Sequence, residues 1–268
     1  MDIMQLRRQP HLSASSINDY LQCGLLYRFS RIDKIKSEFK SDSLELGSSI
    51  HKTLADFYQE KMIGSKLSLQ DLHASFEKHW KTVEERDDVE YQEGEDFETL
   101  LKKGKDLLSI YHEKLPDDDF KVLAIEEPFS FILDGLPPII GVFDLLEEDK
   151  SGTLIITDWK TSSKAYSTDQ IDKSLQLTIY QMAAKSNGYG DRDVLLRFDC
   201  LIKTKAPKFE QYYTIRSEVD ERKAAKKIVK VWDAISKGIF IPNDGNWKCN
   251  GCAYGEYCDE WFSKEGND

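Results

Sequence analysis

The amino-acid sequence predicts an α/β protein, and three observations carry that reading. Residues 120–216 hold five apolar runs of strand length, separated by turn residues. Helical stripes of period 3.6 lie before and after that block, and one further helix interrupts it. With 268 residues, 40% of them hydrophobic and 32% charged, the chain is long enough to bury a sizeable core and has an ordinary globular composition.

Charge and cysteine content narrow the function classes. The net charge of −11 speaks against a general nucleic-acid coat protein, because a polyanion would be repelled at long range. It leaves room for an enzyme whose site is made positive locally by bound cations. There is no apolar run of membrane-spanning length, and "MDIMQLRRQP" lacks an apolar signal core, so the expectation is an intracellular, cytoplasmic protein with no membrane partner. In a reducing compartment the five cysteines are not a disulfide framework, and their spacing points to metal.

The elements follow in order. Ser13 or Ser15 caps a helix with Ile17, Tyr20, Leu21 and Leu25 at helical spacing, and this helix carries Cys23. Over residues 44–61, Leu46, Ile50, Leu54 and Phe57 make one apolar stripe, with His51 beside it in the register of Ala55 and Tyr58. Helices over about 67–85 and 95–115 come next, separated by an acidic run read as a solvated loop or helix start. "FKVLAIEEPFSFIL" and "PPIIGVFDLLEE" read as strands joined by a turn at Gly135, Pro137 and Pro138, and "TLIITDWKT" makes a third. Ser167 with Gln170 forms a capping box that opens a helix through Lys185 on the stripe Ile171, Leu175, Ile179 and Met182. "DVLLRFDCLIK" and "FEQYYTIR" form a further strand pair, and a helix capped by Ser217 ends near Gly238, before a Cys-rich tail.

The second and third strands place charge where core residues are expected. If Lys150, Ser151 and Gly152 form a three-residue hairpin loop, with Gly152 left-handed, Asp149 pairs with Thr153 and Asp144 faces Asp158. Side chains alternate along a strand, so Asp158 and Lys160 share one face and Trp159 takes the other. Two neighbouring carboxylates repel unless a cation lies between them, which suggests a metal; oxygen ligands suit Mg²⁺ or Mn²⁺, and an imidazole tips the balance toward Mn²⁺. Lys160 would then place a positive charge beside an attacking water or a developing phosphate charge. The competing reading is a surface Asp–Lys ion pair on a half-exposed sheet.

"CNGCAYGEYC" spaces Cys249, Cys252 and Cys258 as a metal chelate, with Cys23 as the fourth thiolate closing the chain ends into a clasp. Cys200, inside an apolar strand, reads as a small buried hydrophobe. Four thiolates fit an iron–sulfur cluster or a structural Zn²⁺. Three local cysteines plus one distant one favour iron–sulfur, since zinc ribbons bring two paired motifs.

Taken in order, "SASSINDYLQC", "GSSIHKTL", "GVFDLL", "DWKTS", "QLTIY" and "CNGCAYGEYC" make the chain resemble the RecB-like branch of the PD-(D/E)XK nucleases. Within that branch it is similar to the iron–sulfur members, namely AddB-type exonuclease domains and the Cas exonuclease of CRISPR spacer adaptation. The resemblance implies a restriction-endonuclease-like core, a mixed central sheet flanked by helices, in one nuclease domain, with a helical insertion at about 62–118, a catalytic sheet at about 120–216 and a clasp made by Cys23 and residues 245–262. It implies that His51, Asp144, Asp158 and the Trp159 carbonyl hold the metal, and that Lys160 is the catalytic lysine. Gln176 and Tyr180 would touch DNA, and Cys23, Cys249, Cys252 and Cys258 would ligate the cluster, 4Fe–4S favoured. Phe143 stands where the family motif has proline. Glu126 or Glu127 is a further candidate for the metal environment, against a solvated strand-edge charge. Trp247, Tyr254, Tyr257 and Trp261 would shield the cluster, and Lys203, Lys205, Lys208 and Arg216 are candidates for DNA contact. The activity expected is phosphodiester hydrolysis, an exonuclease acting on single-stranded DNA ends; the alternative is a DNA-end-binding module of a CRISPR integrase or a repair helicase.

Overall fold

A computed structural model describes residues 3–37, 39–84, 86–245 and 249–264. The chain begins with α1 (Ile3–Leu6), α2 (Ala14–Gln22), α3 (Gly24–Tyr27) and a π-turn at Arg28–Ile32. Then come β1 (Lys40–Ser41), α4 (Asp42–Met62), α5 (Leu69–Glu84), β2 (Val89–Glu90) and α6 (Phe97–Lys114). The sheet block holds β3 (Lys121–Phe131), β4 (Ile139–Glu148), β5 (Leu154–Ser162), the helices α7 (Thr168–Asp172) and α8 (Leu175–Ala184), and β6 (Val194–Ile202) with β7 (Lys208–Thr214). Two helices end the chain, α9 (Glu218–Ser236) and α10 (Gly255–Ser263).

Five strands form a mixed sheet in the order β3-β4-β5-β6-β7, antiparallel except for the parallel β5–β6 pair. A parallel pair needs a crossover, and α7 with α8 supplies it. Alternation along the strands feeds two cores. Leu154, Ile156, Leu196, Phe198 and Cys200 pack with α2, α8 and α9, while Leu145, Trp159 and Leu201 pack with α4, α5 and α6. This is the restriction-endonuclease-like α/β core that the sequence predicts. Cys200 lies fully buried, and burial pushes its thiol up to about 12.

The hairpin behaves as its residues require. Asp149 N donates to the Thr153 carbonyl at 3.2 Å and Gly152 takes φ +86°, so the Leu145↔Thr157 register follows from a three-residue loop. Two helices divide where the sequence reads as continuous. Cys23 is extended at φ −162° between α2 and α3, where Gly24 lies against the segment that follows Ser236: its amide donates to Ile241 O at 2.8 Å, and a Cβ there would come within 2.4 Å of the Ile241 backbone. Cys23 is therefore at a helix junction rather than on a helix. The helix after the hairpin also divides, since the Ser174 hydroxyl starts a second one by accepting from the Leu177 amide. Ser217 caps α9 as expected, in a box with Asp220.

Arg216, expected to contact DNA, is instead buried. Its guanidinium donates to Ile171 O at 2.7 Å and to Thr178 Oγ1 at 2.9 Å, pinning the α7–α8 segment to the end of β7. No described helix is long and apolar enough to cross a membrane.

Candidate active site

Three carboxylates stand in one row across the sheet. Glu127↔Phe143 and Ile125↔Leu145 place Glu126 opposite Asp144, and Leu145↔Thr157 places Asp144 opposite Asp158. The ladder opens at this row. The Trp159 amide donates to Asp144 Oδ2 at 2.9 Å, a side chain rather than a strand carbonyl. Glu126 takes φ +50° inside its strand, a conformation unfavourable for a residue with a Cβ, and strain of this kind collects at functional sites.

Helix α4 brings His51 to the row. Its ring stands edge-on to Trp159 with centroids 5.8 Å apart, and Nδ1 lies 3.6 Å from Asp144 Oδ2. Burial lowers the imidazole pKa, opposed by Asp158 and by a hydrogen bond to the Trp159 main chain, so the ring is a neutral donor rather than an ion-pair partner. His51, Glu126 and Asp144 each offer one ligand atom, all within 4.8 Å of one another. They line a cavity of about 690 Å³ that also receives Lys160, Lys52 and Ser43.

Asp158 is engaged differently. Lys160 Nζ lies 2.5 Å from Asp158 Oδ2, while Gln176 Nε2 and the Tyr180 hydroxyl donate to Oδ1 at 2.5 and 3.0 Å. Gln176 Oε1 accepts from Lys160 at 2.9 Å. Gln176 and Tyr180, the residues expected to touch DNA, hold the Asp158–Lys160 pair: α8 packs over this face of the sheet, with Tyr180 buried and Gln176 half-buried. Asp158 Oδ2 is buried with its ion pair to Lys160 but no donor in hydrogen-bond geometry.

Electrostatics single out the row. Burial first, then the charge of Asp158, hold the Asp144 carboxyl well above the usual range against the Trp159 amide and Lys160. Desolvation and Asp158 raise Glu126 too. Burial works against the Lys160 charge, but Asp158 outweighs it and the ammonium is held above its ordinary pKa. The row sets three carboxyls against one ammonium, and burial with mutual repulsion makes their ionisation costly until a further cation is present. Its oxygens and neutral imidazole fit a hard or borderline divalent cation.

The cysteines converge elsewhere. Cys23, Cys249, Cys252 and Cys258 line one cavity of about 340 Å³ between the α2–α3 junction and α10. All four are free thiols. Burial raises the Cys258 thiol, and the other three cysteines add to that shift. Tyr254 and Tyr257 pack on Phe29 with ring centroids 6.3 and 6.4 Å away. Trp261 stacks edge-on with Phe262, and Trp247 lies outside the described residues.

The sequence profile of the PD-(D/E)XK nuclease superfamily matches residues 11–259. The chain belongs to that superfamily and is a phosphodiester-hydrolysing nuclease, a class that works with divalent metal. Among solved structures, a candidate exonuclease from Eubacterium rectale superposes with a TM-score of 0.57 at 12% identity, covering 90% of this chain and 88% of that one, a likeness of fold. SSO0001 superposes at 0.38 with 14% identity over 91% and 94% of the two chains, too distant to support an argument. Among curated proteins none matches.

Proposed function

We propose that this nuclease is an exonuclease acting on the free ends of single-stranded DNA, with Mg²⁺ or Mn²⁺ at the carboxylate row. One observation carries the reading: Glu126 and Asp144 line a cavity together with His51 and Lys160, and Asp158, opposite Asp144 on the next strand, is buried behind them in its ion pair to Lys160. His51, Asp144 and Glu126 would hold the ion, with Asp158 and the Trp159 carbonyl as the ligands that the family resemblance adds. Bound there, the ion would activate water and neutralise phosphate charge. Lys160 steadies charge on the phosphate, and Gln176 and Tyr180 fix the position of Asp158 and Lys160. Of Glu126 and Glu127, the first is the ligand, which adds one carboxylate to the set that the resemblance implies.

The thiol cavity is proposed to hold an iron–sulfur cluster that ties the chain ends together. Four thiols on one cavity suit a cluster or a zinc ion, and three local cysteines with one distant one favour the cluster, since zinc ribbons bring two paired motifs.

End-labelled single-stranded and duplex DNA, incubated with Mg²⁺, Mn²⁺ or EDTA, tests the first reading. Stepwise shortening of the single strand with metal is expected, and internal cuts in closed circles would overturn the exonuclease assignment. Lys160→Ala should abolish cleavage while DNA binding persists; unchanged turnover removes the lysine from the mechanism. Iron and sulfide analysis tests the clasp, and zinc in place of iron would replace the cluster.

A further inference from the structure

A second groove adjoins the active cavity. Lys102, Lys103 and Thr99 of α6 and Lys203, Thr204 and Lys205 after β6 line a space of about 370 Å³. Four lysines face it; Lys102 is ion-paired with Asp106 and Lys103 with Glu95, which leaves Lys203 and Lys205 as positive charge without an ion-pair partner among the described residues, in a chain whose net charge is −11. Such a local inversion of sign is what a polyanion requires of an acidic protein.

The groove and the active cavity share a sill. Lys203 Nζ donates to Ser43 Oγ at 3.1 Å, and Ser43 lines the active cavity. Lys203 N donates to Ser162 O at 2.7 Å, one residue beyond Thr161, which lines the same cavity, and two beyond Lys160. Lys203 is half-buried and makes no ion pair among the described residues. Asp42 and Glu95 attract it from beyond ion-pair distance, Lys103 repels it, and burial makes its charge costly. A hydroxyl alone is a poor partner for a half-buried ammonium. Lys205 likewise has no carboxylate partner among the described residues.

We propose that this groove is the track on which a polynucleotide strand lies as it passes the active cavity. Lys203 and Lys205 hold backbone phosphates, Ser43 forms the sill, and Lys102 and Lys103 line the far wall. The inference deepens the nuclease reading and rests on it for direction, since the strand runs from the carboxylate row into the groove.

The test compares wild type with Lys203→Gln/Lys205→Gln and, separately, Lys102→Gln/Lys103→Gln, each checked by thermal melting. Binding of a labelled oligothymidylate is followed by anisotropy with Ca²⁺ over a range of salt, and hydrolysis of a dinucleotide is followed with Mn²⁺. The Lys203/Lys205 variant is expected to bind the oligonucleotide about tenfold more weakly, with the slope of log K against log[salt] shallower by about 1.4, two single-strand phosphate contacts. The Lys102/Lys103 variant should lose part of this, and dinucleotide turnover should stay unchanged in both. Unchanged affinity and slope, or a wild type that does not bind the strand, overturn the track while leaving the nuclease reading to its own assay. A wild type that binds with the full slope but hydrolyses neither substrate sinks the nuclease reading and leaves the track as a binding surface.

Discussion

Two acidic clusters share the central sheet, and they differ in what balances them. In the first, Glu126, Asp144 and Asp158 have Lys160 as their ammonium, and Glu126, Asp144, His51 and Lys160 line a large cavity. In the second, Arg197 of β6 reaches across β5 to Glu147 at 2.7 Å and lies 3.0 Å from Asp199, while Lys61 lies 3.3 Å from Glu147. Gln211 donates to Asp199 at 3.0 Å, and a Tyr58–Tyr111 hydroxyl pair packs nearby. Arg197, Glu147 and Asp199 are 1% exposed or less. The second cluster has its cations built in and is sealed, so it serves the fold. The first sets one ammonium against three carboxyls beside a cavity, so it fits an added cation.

The largest effects separate the two clusters by kind. Asp144→Asn should cut nuclease turnover by about four orders of magnitude, ~5.5 kcal/mol on the barrier. Its metal-free stability should be no lower than wild type, because an amide oxygen can still accept from the Trp159 amide and a repelled charge is gone. Urea unfolding alongside a cleavage assay checks both halves. Arg197→Met should do the reverse, leaving two buried carboxylates short of a partner and costing about 3–5 kcal/mol of stability. A loss under about 1 kcal/mol would mean that the second cluster is not held by its arginine.

Cation binding gives a smaller, sharper contrast. At a hundredfold excess over its dissociation constant, Mn²⁺ should stabilise wild type by about 2.7 kcal/mol. Asp144→Asn should lose most of that gain and Arg197→Met should keep it. Equal stabilisation of all three proteins would place the ion away from the row.

What the sequence made legible follows from local rules. The register of Asp144 against Asp158 depends only on a three-residue loop with a left-handed glycine, and the separation of Trp159 from Asp158 and Lys160 depends only on strand alternation. Glu126 was harder to fix, because residues 132–138 join β3 to β4 and a loop of that length does not set the register. Its φ of +50° also breaks the alternation that a sequence reading assumes. The inward face of Gln176 and Tyr180 depends on where α8 begins, which the Ser174 cap decides. The second cluster has a sequence signal of its own: Arg197 and Asp199 stand two apart on one face of an otherwise apolar strand, a spacing that buries both or neither.

The smallest effect tests how complete that second balance is. Burial, opposed by Arg197 and the Gln211 amide, raises Asp199 from 3.8 to about 6. A carboxyl whose folded pKa is raised favours the fold when protonated, so its contribution is full below its unfolded pKa and is lost as pH rises through about 6. Asp199→Asn removes that titration and keeps an oxygen for Gln211. The stability of wild type relative to this variant should therefore fall by about 2 kcal/mol between about pH 4 and about pH 7, read from urea midpoints. A difference that stays flat would mean that Arg197 cancels the burial of Asp199. The contrast with the carboxylate row would then be one of complete against incomplete compensation rather than of degree.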